Sequence, residues 1–319
     1  MAQKVLIVGG LGFVGYHIVQ ELKIRGYEPV IGSRNNKHDE NAEAPIIEVD
    51  LKKMSDQELL QVLAPFDYVI FAGGADDRTI PKEDAATFFY AENVLPCVRL
   101  AELAKQLPLQ KIIILGSYFS HFNRTRPEWK MSERHPYVRS RLLQQEETIE
   151  AAGNETAVII LELPYIFGSS PGKIPLWKPL VKYIKNSRLV FYTSGGTNIV
   201  SVEKVAKATV GAIEHAKHSE RWIVGGENVS WKELISKISN ALGKKRIVVT
   251  VPTFIVKVFA LLTYGYFRLI NKQVGLNLYH FITTQTSCTF LDTSDSMRHL
   301  GYENADMQEA INDTVKASL

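Results

Sequence analysis

Through its first half the chain alternates short apolar runs rich in β-branched residues with longer stretches whose apolar positions recur at helical spacing. The runs KVLIV (4–8), PVIGS (29–33), IIEVD (46–50), YVIFAGG (68–74), KIIILGS (111–117) and TAVIILEL (156–163) read as six strands. Several are apolar at consecutive positions rather than at every second one, the pattern of a strand covered on both faces. Helical patterns fill the intervals at 13–25, 55–63, 85–107 and 136–152. Ser55 and Glu58 have the spacing of a capping box, and Gly26 and Gly153 stand at helix ends. This alternation predicts an α/β fold built on a doubly wound parallel sheet. Beyond about Leu163 the pattern loosens, with prolines at 164, 171, 175 and 179, and a smaller second region is expected there.

Composition removes several classes. With 319 residues, 45% of them hydrophobic, the chain can bury a large core without disulfide or metal staples. Its net charge of +3 is too small for a nucleic-acid footprint, so no nucleic-acid partner is expected. Cys97 and Cys288 have neither CxxC nor Cys/His spacing, so no metal site is expected; they read as two small buried side chains in a reducing compartment. Lys4 runs at once into VLIVGGLGFVG, which is no targeting segment, and a cytoplasmic location is the expectation. The apolar stretch 254–270 is broken by Lys257 and Arg268. The ten uncharged residues between them fall short of the ~20 a membrane span requires. Association of this stretch with a membrane surface is a minor alternative.

Glycines recur at 9, 12 and 15 directly after the first strand and at the start of the first helix. Glycine there permits a tight turn and close backbone approach, while helix N–H groups face a pyrophosphate. Gly9, Gly12, Phe13, Val14 and Gly15 are therefore candidate dinucleotide contacts, and the sheet is expected to be of Rossmann type. The second strand ends in Ser33 and Arg34, with Lys37 nearby and no carboxylate to bind ribose hydroxyls. Arg34 can pair with a 2′-phosphate, so NADP is expected ahead of NAD, with NAD possible.

With these residues in view, the chain resembles the extended short-chain dehydrogenase/reductases, also called NAD(P)-dependent epimerase/dehydratases. The resemblance runs from Lys4 to about Tyr302. It rests on the GxxGxxG turn, Asp50 and Leu51 after the third strand, FAGG at 71–74, Asn93 opening a long helix, and Ser117 after KIIILG. Tyr137 four residues before Arg141, LPYIFG at 163–168, NIVSVEKVAKA at 198–208 and FLDTSDSMRHLGY at 290–302 complete it. It implies a nucleotide-binding domain over 1–168, rejoined by about 196–227, and a mostly substrate-binding region over 169–195 and 228–319. It also implies that Asp50 and Leu51 lie at the adenine end, that Ala72, Gly73 and Asn93 contact the cofactor, and that Pro164 and Tyr165 lie near the nicotinamide.

Members of that family use a Ser or Thr, a Tyr and a Lys four residues after the Tyr. The Tyr exchanges a proton with the substrate oxygen while hydride moves to or from the nicotinamide. Here the candidates are Ser117, with Ser120 as fallback, Tyr137 and Arg141, an arginine in the lysine's place. At i and i+4 on a helix Arg141 can still stand beside Tyr137 as a permanent cation. Its planar guanidinium cannot relay a proton, so catalysis is either sustained electrostatically or impaired. His121 and His135 read as loop residues.

The aromatic residues Phe254, Phe259, Tyr264, Tyr266, Phe267, Tyr279 and Phe281 either wall an apolar pocket or belong to ordinary core. No clear arginine stands just before NIVSVEKVA, where sugar-nucleotide members often have one for a diphosphate clamp. The resemblance therefore tilts toward dihydroflavonol reductases and hydroxysteroid dehydrogenases. The expected activity is an NADP(H)-dependent oxidoreductase acting on a carbonyl or alcohol of a small apolar substrate, with a homodimer possible. A nucleotide-sugar epimerase or dehydratase with retained NAD, and a catalytically impaired NAD(P)-binding sensor, are the alternatives.

Overall fold

The computed structural model describes residues 2–35, 39–270, 272–303 and 306–319, with Arg268 described by its backbone; Lys37 lies outside the described residues. The strands are β1 (Lys4–Val8), β2 (Glu28–Ser33), β3 (Ile46–Glu48), β4 (Tyr68–Phe71), β5 (Lys111–Ser117), β6 (Ala157–Leu163), β7 (Tyr165–Phe167), β8 (Leu189–Tyr192), β9 (Gly196–Ser201), β10 (Arg221–Ile223), β11 (Glu227–Ser230), β12 (Ile247–Thr250) and β13 (Cys288–Thr289). The helices of the first half are α1 (Phe13–Ile24), α2 (Asp56–Leu63), α3 (Ala85–Phe89), α4 (Leu95–Ala104), α5 (Tyr118–Thr125), α6 (Met131–Arg134) and α7 (Pro136–Ala152). Those that follow are α8 (Lys178–Asn186), α9 (Val202–His215), α10 (Trp231–Ala241), α11 (Thr253–Leu269), α12 (Leu278–Gln285), α13 (Ser294–Leu300) and α14 (Gln308–Ser318).

Seven strands form one parallel sheet in the order β3-β2-β1-β4-β5-β6-β10, the Rossmann-type arrangement expected from the sequence. The consecutive apolar positions have a physical use. Along β5, Ile113 and Leu115 face one core with α1 and α9, while Ile112 and Ile114 face the other with α2 and α4. Strand order reverses between β1 and β4, and a crevice opens there at the carboxyl ends of the strands.

A second sheet joins β11, β9 and β13, with β7 also pairing β9. The stretch 196–227, expected to return to the nucleotide side, is divided. Strand β9 belongs to the second sheet, α9 packs on α1, and β10 extends the main sheet beside β6.

The helical pattern at 85–107 begins at Ala85, capped by Asp84, and is interrupted by a π turn over Tyr90–Val94 before α4. Asn93 therefore lies inside this segment instead of opening it. Pro96, the second residue of α4, has no N–H and cannot continue an unbroken α ladder. Helix α2 has the predicted capping box of Ser55 and Glu58, and α7 spans the expected residues.

Two expectations fail on burial. Cys97 is buried, its thiol pushed up to about 12 by the apolar surroundings, but Cys288 is exposed at the start of β13. Of the late aromatics, Phe254, Phe259, Tyr266 and Tyr279 are exposed and wall neither a core nor the crevice. Helical spacing alone does not say which side of a helix the rest of the protein covers.

Candidate active site

The glycine turn joins β1 to α1. Gly9 has φ +89°, and a side chain there would stand 3.0 Å from the backbone of Ala72 on the neighbouring strand end. A Cβ on Gly15 would lie 2.4 Å from the Gly9 carbonyl, so the helix could not seat on the turn. Gly12 is the N-cap of α1 and supplies no capping side chain. By helix geometry the N–H groups of Phe13, Val14 and Gly15 then have no intrahelical acceptor. This is a cradle suited to a pyrophosphate.

The adenosine candidates gather at the ends of β2 and β3. Gly9 donates to Gly32, and Val49 donates to Ser33 at 2.7 Å, which brings Ser33 beside the segment holding Asp50. Arg34 follows Ser33 and is exposed. The Asp50 carboxylate accepts from the N–H groups of Lys52 and Lys53, and the Leu51 carbonyl accepts from Arg99. Both residues thereby shape the turn after β3.

A cavity of about 380 Å³ runs from the glycine turn along the strand ends. Phe13, Ala72, Gly73, Ser117, Tyr137, Arg141, Pro164 and Tyr165 line it, so most of the predicted site residues meet here. Ser117 ends β5 and caps α5, its Oγ accepting from the Phe119 N–H. Ser120 is buried away from the cavity. His121 lies within α5 and is not a loop residue; His135 is the one extended residue that links α6 to α7.

Tyr137 is 7% exposed. Burial raises its phenol pKa; the Arg141 charge, and hydrogen bonding with Arg141 and Ser117, pull it back, while Asp77 pushes it up. The net shift is upward, so the phenol is protonated near neutrality. Arg141 is fixed by donating to the Gln144 Oε1 at 2.9 Å and to the Leu115 carbonyl at 3.2 Å. Its Nε is buried with no partner among the described residues, a donor available to a ribose hydroxyl.

Asn93 is fully buried below this site. Its Oδ1 accepts from the Ala75 N–H and its Nδ2 donates to the Ser140 Oγ, which ties the loop after β4 to α7. Both ends of the amide are thus taken up inside the protein.

Sequence reasoning passed over Asp76, Asp77 and Arg78, which follow FAGG and line the same cavity. Burial and the neighbouring Asp76 raise the Asp77 carboxyl pKa. Burial also opposes ionisation of Asp76, but hydrogen bonds and charge from Arg78 hold its carboxyl below the usual range. The available signal was a charged run directly beyond a strand end at the reversal of strand order.

Residues 5–225 match the NAD dependent epimerase/dehydratase family. The chain belongs to that family. Within this epimerase/dehydratase family it is similar to a putative dihydroflavonol 4-reductase of Synechocystis sp., 20% identical across 99% of this chain and 94% of the relative. It is also similar to the human sterol-4-alpha-carboxylate 3-dehydrogenase, decarboxylating, 25% identical over 69% of this chain; the match spans 59% of that enzyme. Among solved structures, gox2253 superposes with a TM-score of 0.80 at 20% identity, covering 99% of this chain and 97% of its own. The UDP-N-acetylglucosamine 4-epimerase from Bacillus cereus superposes with a TM-score of 0.71 at 15% identity, covering 99% and 96%. At these identities the structural likeness is one of fold.

Proposed function

We propose that this family member is an NADP(H)-dependent oxidoreductase that reduces a carbonyl of a small, mainly apolar substrate, with Tyr137 as proton donor. The observation that carries the proposal is the meeting of Ser117, Tyr137 and Arg141 in one cavity that begins at the glycine turn. When bound, the nicotinamide supplies the hydride. The pyrophosphate falls to the first turn of α1, the 2′-phosphate to Arg34, the adenine end to Asp50 and Leu51, and the nicotinamide end to Ala72, Gly73, Pro164 and Tyr165. Ser117 holds the substrate oxygen by hydrogen bonding, and the Tyr137 hydroxyl donates its proton to that oxygen as the alcohol forms. Arg141 favours the phenolate left behind, in the role a lysine has in the resembled pattern.

The remaining walls favour an apolar substrate. Phe119, Leu163, Ile166, Leu176 and Trp177 contribute hydrocarbon and ring surface. Two arginines line the cavity: Arg141 is held by Gln144 and the Leu115 carbonyl, and Asp76 takes the Arg78 guanidinium through Nε at 3.1 Å and Nη2 at 2.6 Å. This speaks against the nucleotide-sugar reading.

NADPH oxidation against a panel of aldehydes and ketones, with Tyr137→Phe in parallel, tests the proposal. Turnover that falls at least about a hundredfold in the variant, with cofactor affinity retained, is the expected result. Tight NAD retained without net consumption would instead assign an epimerase or dehydratase. Binding of NADPH with no turnover, or a variant indistinguishable from the parent, would assign a sensor.

A further inference from the structure

Helix α11 displays apolar surface that a folded domain ordinarily covers. None of its described side chains is fully buried. Phe254, Val258, Leu261, Leu262 and Leu269 recur at helical spacing, and all five are exposed, Phe254 by 67%, Leu262 by 65% and Leu269 by 85%. The opposite side, with Val256, Ala260, Tyr264 and Phe267, is half-buried. The exposed stripe is therefore the outer face of a seated helix. A contiguous apolar face of this kind marks an interaction surface.

The charge along its stretch of the chain is one-sided, although Glu133, from before α7, lines a hollow with Tyr264, Phe267 and Lys272 on the seated side. From residue 234 to residue 291 the chain has no Asp or Glu and seven Lys or Arg, whereas the remainder of this +3 protein is net negative. Lys237 is turned to Glu227. Lys244 and Lys245 stand exposed before β12, Lys257 on α11 and Lys272 just beyond it, and none of these four has a carboxylate partner among the described residues. A helix of 17 residues rises only about 26 Å, less than the ~30 Å of a bilayer's hydrocarbon. No helix among the described residues is long and apolar enough to cross a membrane.

We propose that α11 is a peripheral anchor that lies in the headgroup layer of an anionic phospholipid bilayer, its outer stripe among the acyl chains and its flanking lysines on the phosphates. The lack of acidic residues along 234–291 selects this occupant. A second copy of the chain would bring the same basic segment against itself, whereas an anionic surface complements it. The proposal is independent of the reaction assigned to the cavity. The anchor is also wired to the site: directly after it, the Gln273 Oε1 accepts from the Ala85 N–H and the Gly275 carbonyl accepts from the Tyr137 N–H.

Sedimentation of the full chain with phosphatidylcholine vesicles, with or without one third phosphatidylglycerol, tests this at low and high salt. The protein is expected to sediment with the anionic vesicles at least about tenfold better than with neutral ones, and to be released by salt. Val258→Ser with Leu262→Ser is expected to lower partitioning about tenfold or more, and Lys245→Gln and Lys257→Gln about fivefold each. Thermal unfolding and NADPH affinity of these surface variants should stay at the parent values. Failure to sediment with anionic vesicles at low salt, or equal sedimentation of the apolar variant, overturns the proposal. So does a vesicle-free dimer that the serine substitutions dissociate, which would assign the face to a second copy.

Discussion

The guanidinium carbon of Arg141 stands 5.7 Å from the centroid of the Tyr137 ring, one turn further along α7. The i, i+4 relation keeps a fixed cation beside the phenol, held in place by its contacts to Leu115 and Gln144. In the proposed reduction the protonated phenol is the donor, so the rate should be full below the Tyr137 pKa and fall as pH rises through it. Arg141→Met removes a charge that lowers that pKa; kcat should fall about a hundredfold and the alkaline limb should move to higher pH. Asp77→Asn removes a charge that raises the pKa, and its limb should move to lower pH. A pH profile of kcat in which both variants shift the same way would refute this electrostatic account. Arg141→Lys should keep kcat within about tenfold of the parent.

Arg34 follows Ser33 at the end of β2, in an exposed position. Arg34→Ala should weaken NADPH binding about tenfold or more and leave NADH nearly unchanged, since only NADPH has the 2′-phosphate. Fluorescence titration of both cofactors measures the difference. Equal losses for the two would show that Arg34 does not select between them.

Glu162 is 1% exposed on β6, and Arg124 donates to both its oxygens, at 2.9 and 2.7 Å, while Gln145 on α7 donates a third hydrogen bond at 2.9 Å. Arg124→Met would leave the carboxylate buried without its guanidinium, with the Gln145 hydrogen bond remaining. Urea unfolding should show a loss of about 3 kcal/mol, partly recovered by adding Glu162→Met. A single variant as stable as the parent would mean that solvent reaches the carboxylate.

His135 is buried, and its Nδ1 accepts the Asn277 N–H at 3.0 Å. Burial, then the nearby His280 and Arg134, lowers its pKa to about 4. The unfolded chain takes up this proton near pH 6.5. The contribution is therefore complete above about pH 6.5 and is lost as pH falls toward 4, amounting to about 3 kcal/mol. His135→Asn keeps an acceptor that does not titrate, so its unfolding free energy should depend less steeply on pH across that window. Parallel slopes for the two proteins would exclude His135 as the source.

The main sheet was legible because its strands are buried on both faces, a condition that makes residues 112–115 and 157–161 apolar at consecutive positions. The glycine turn was legible because Gly9 and Gly15 meet backbone, where no other residue fits. Asp77 was not, since nothing in a charged loop tells how far it folds over a cavity. Nor was the partnership of Asn93, whose amide joins two segments 18 and 47 residues away. Cys288 and the exposed rings of α11 escaped for a related reason: composition records what a side chain is, and burial depends on what arrives beside it.

The π turn at Tyr90–Val94 has a consequence for rotational phase. Ala85, Phe89, Asn93, Cys97 and Ala101 are all buried and repeat strictly every fourth residue. In an unbroken α-helix each such step drifts by about 40°, so the last of them would point roughly 160° away from the first. The extra residue of a π turn takes back about 100° of that drift. Both ends of the segment can therefore lie against α7, near Tyr137 at one end and over the sheet at the other. The four-residue repeat is the mark this leaves in the sequence.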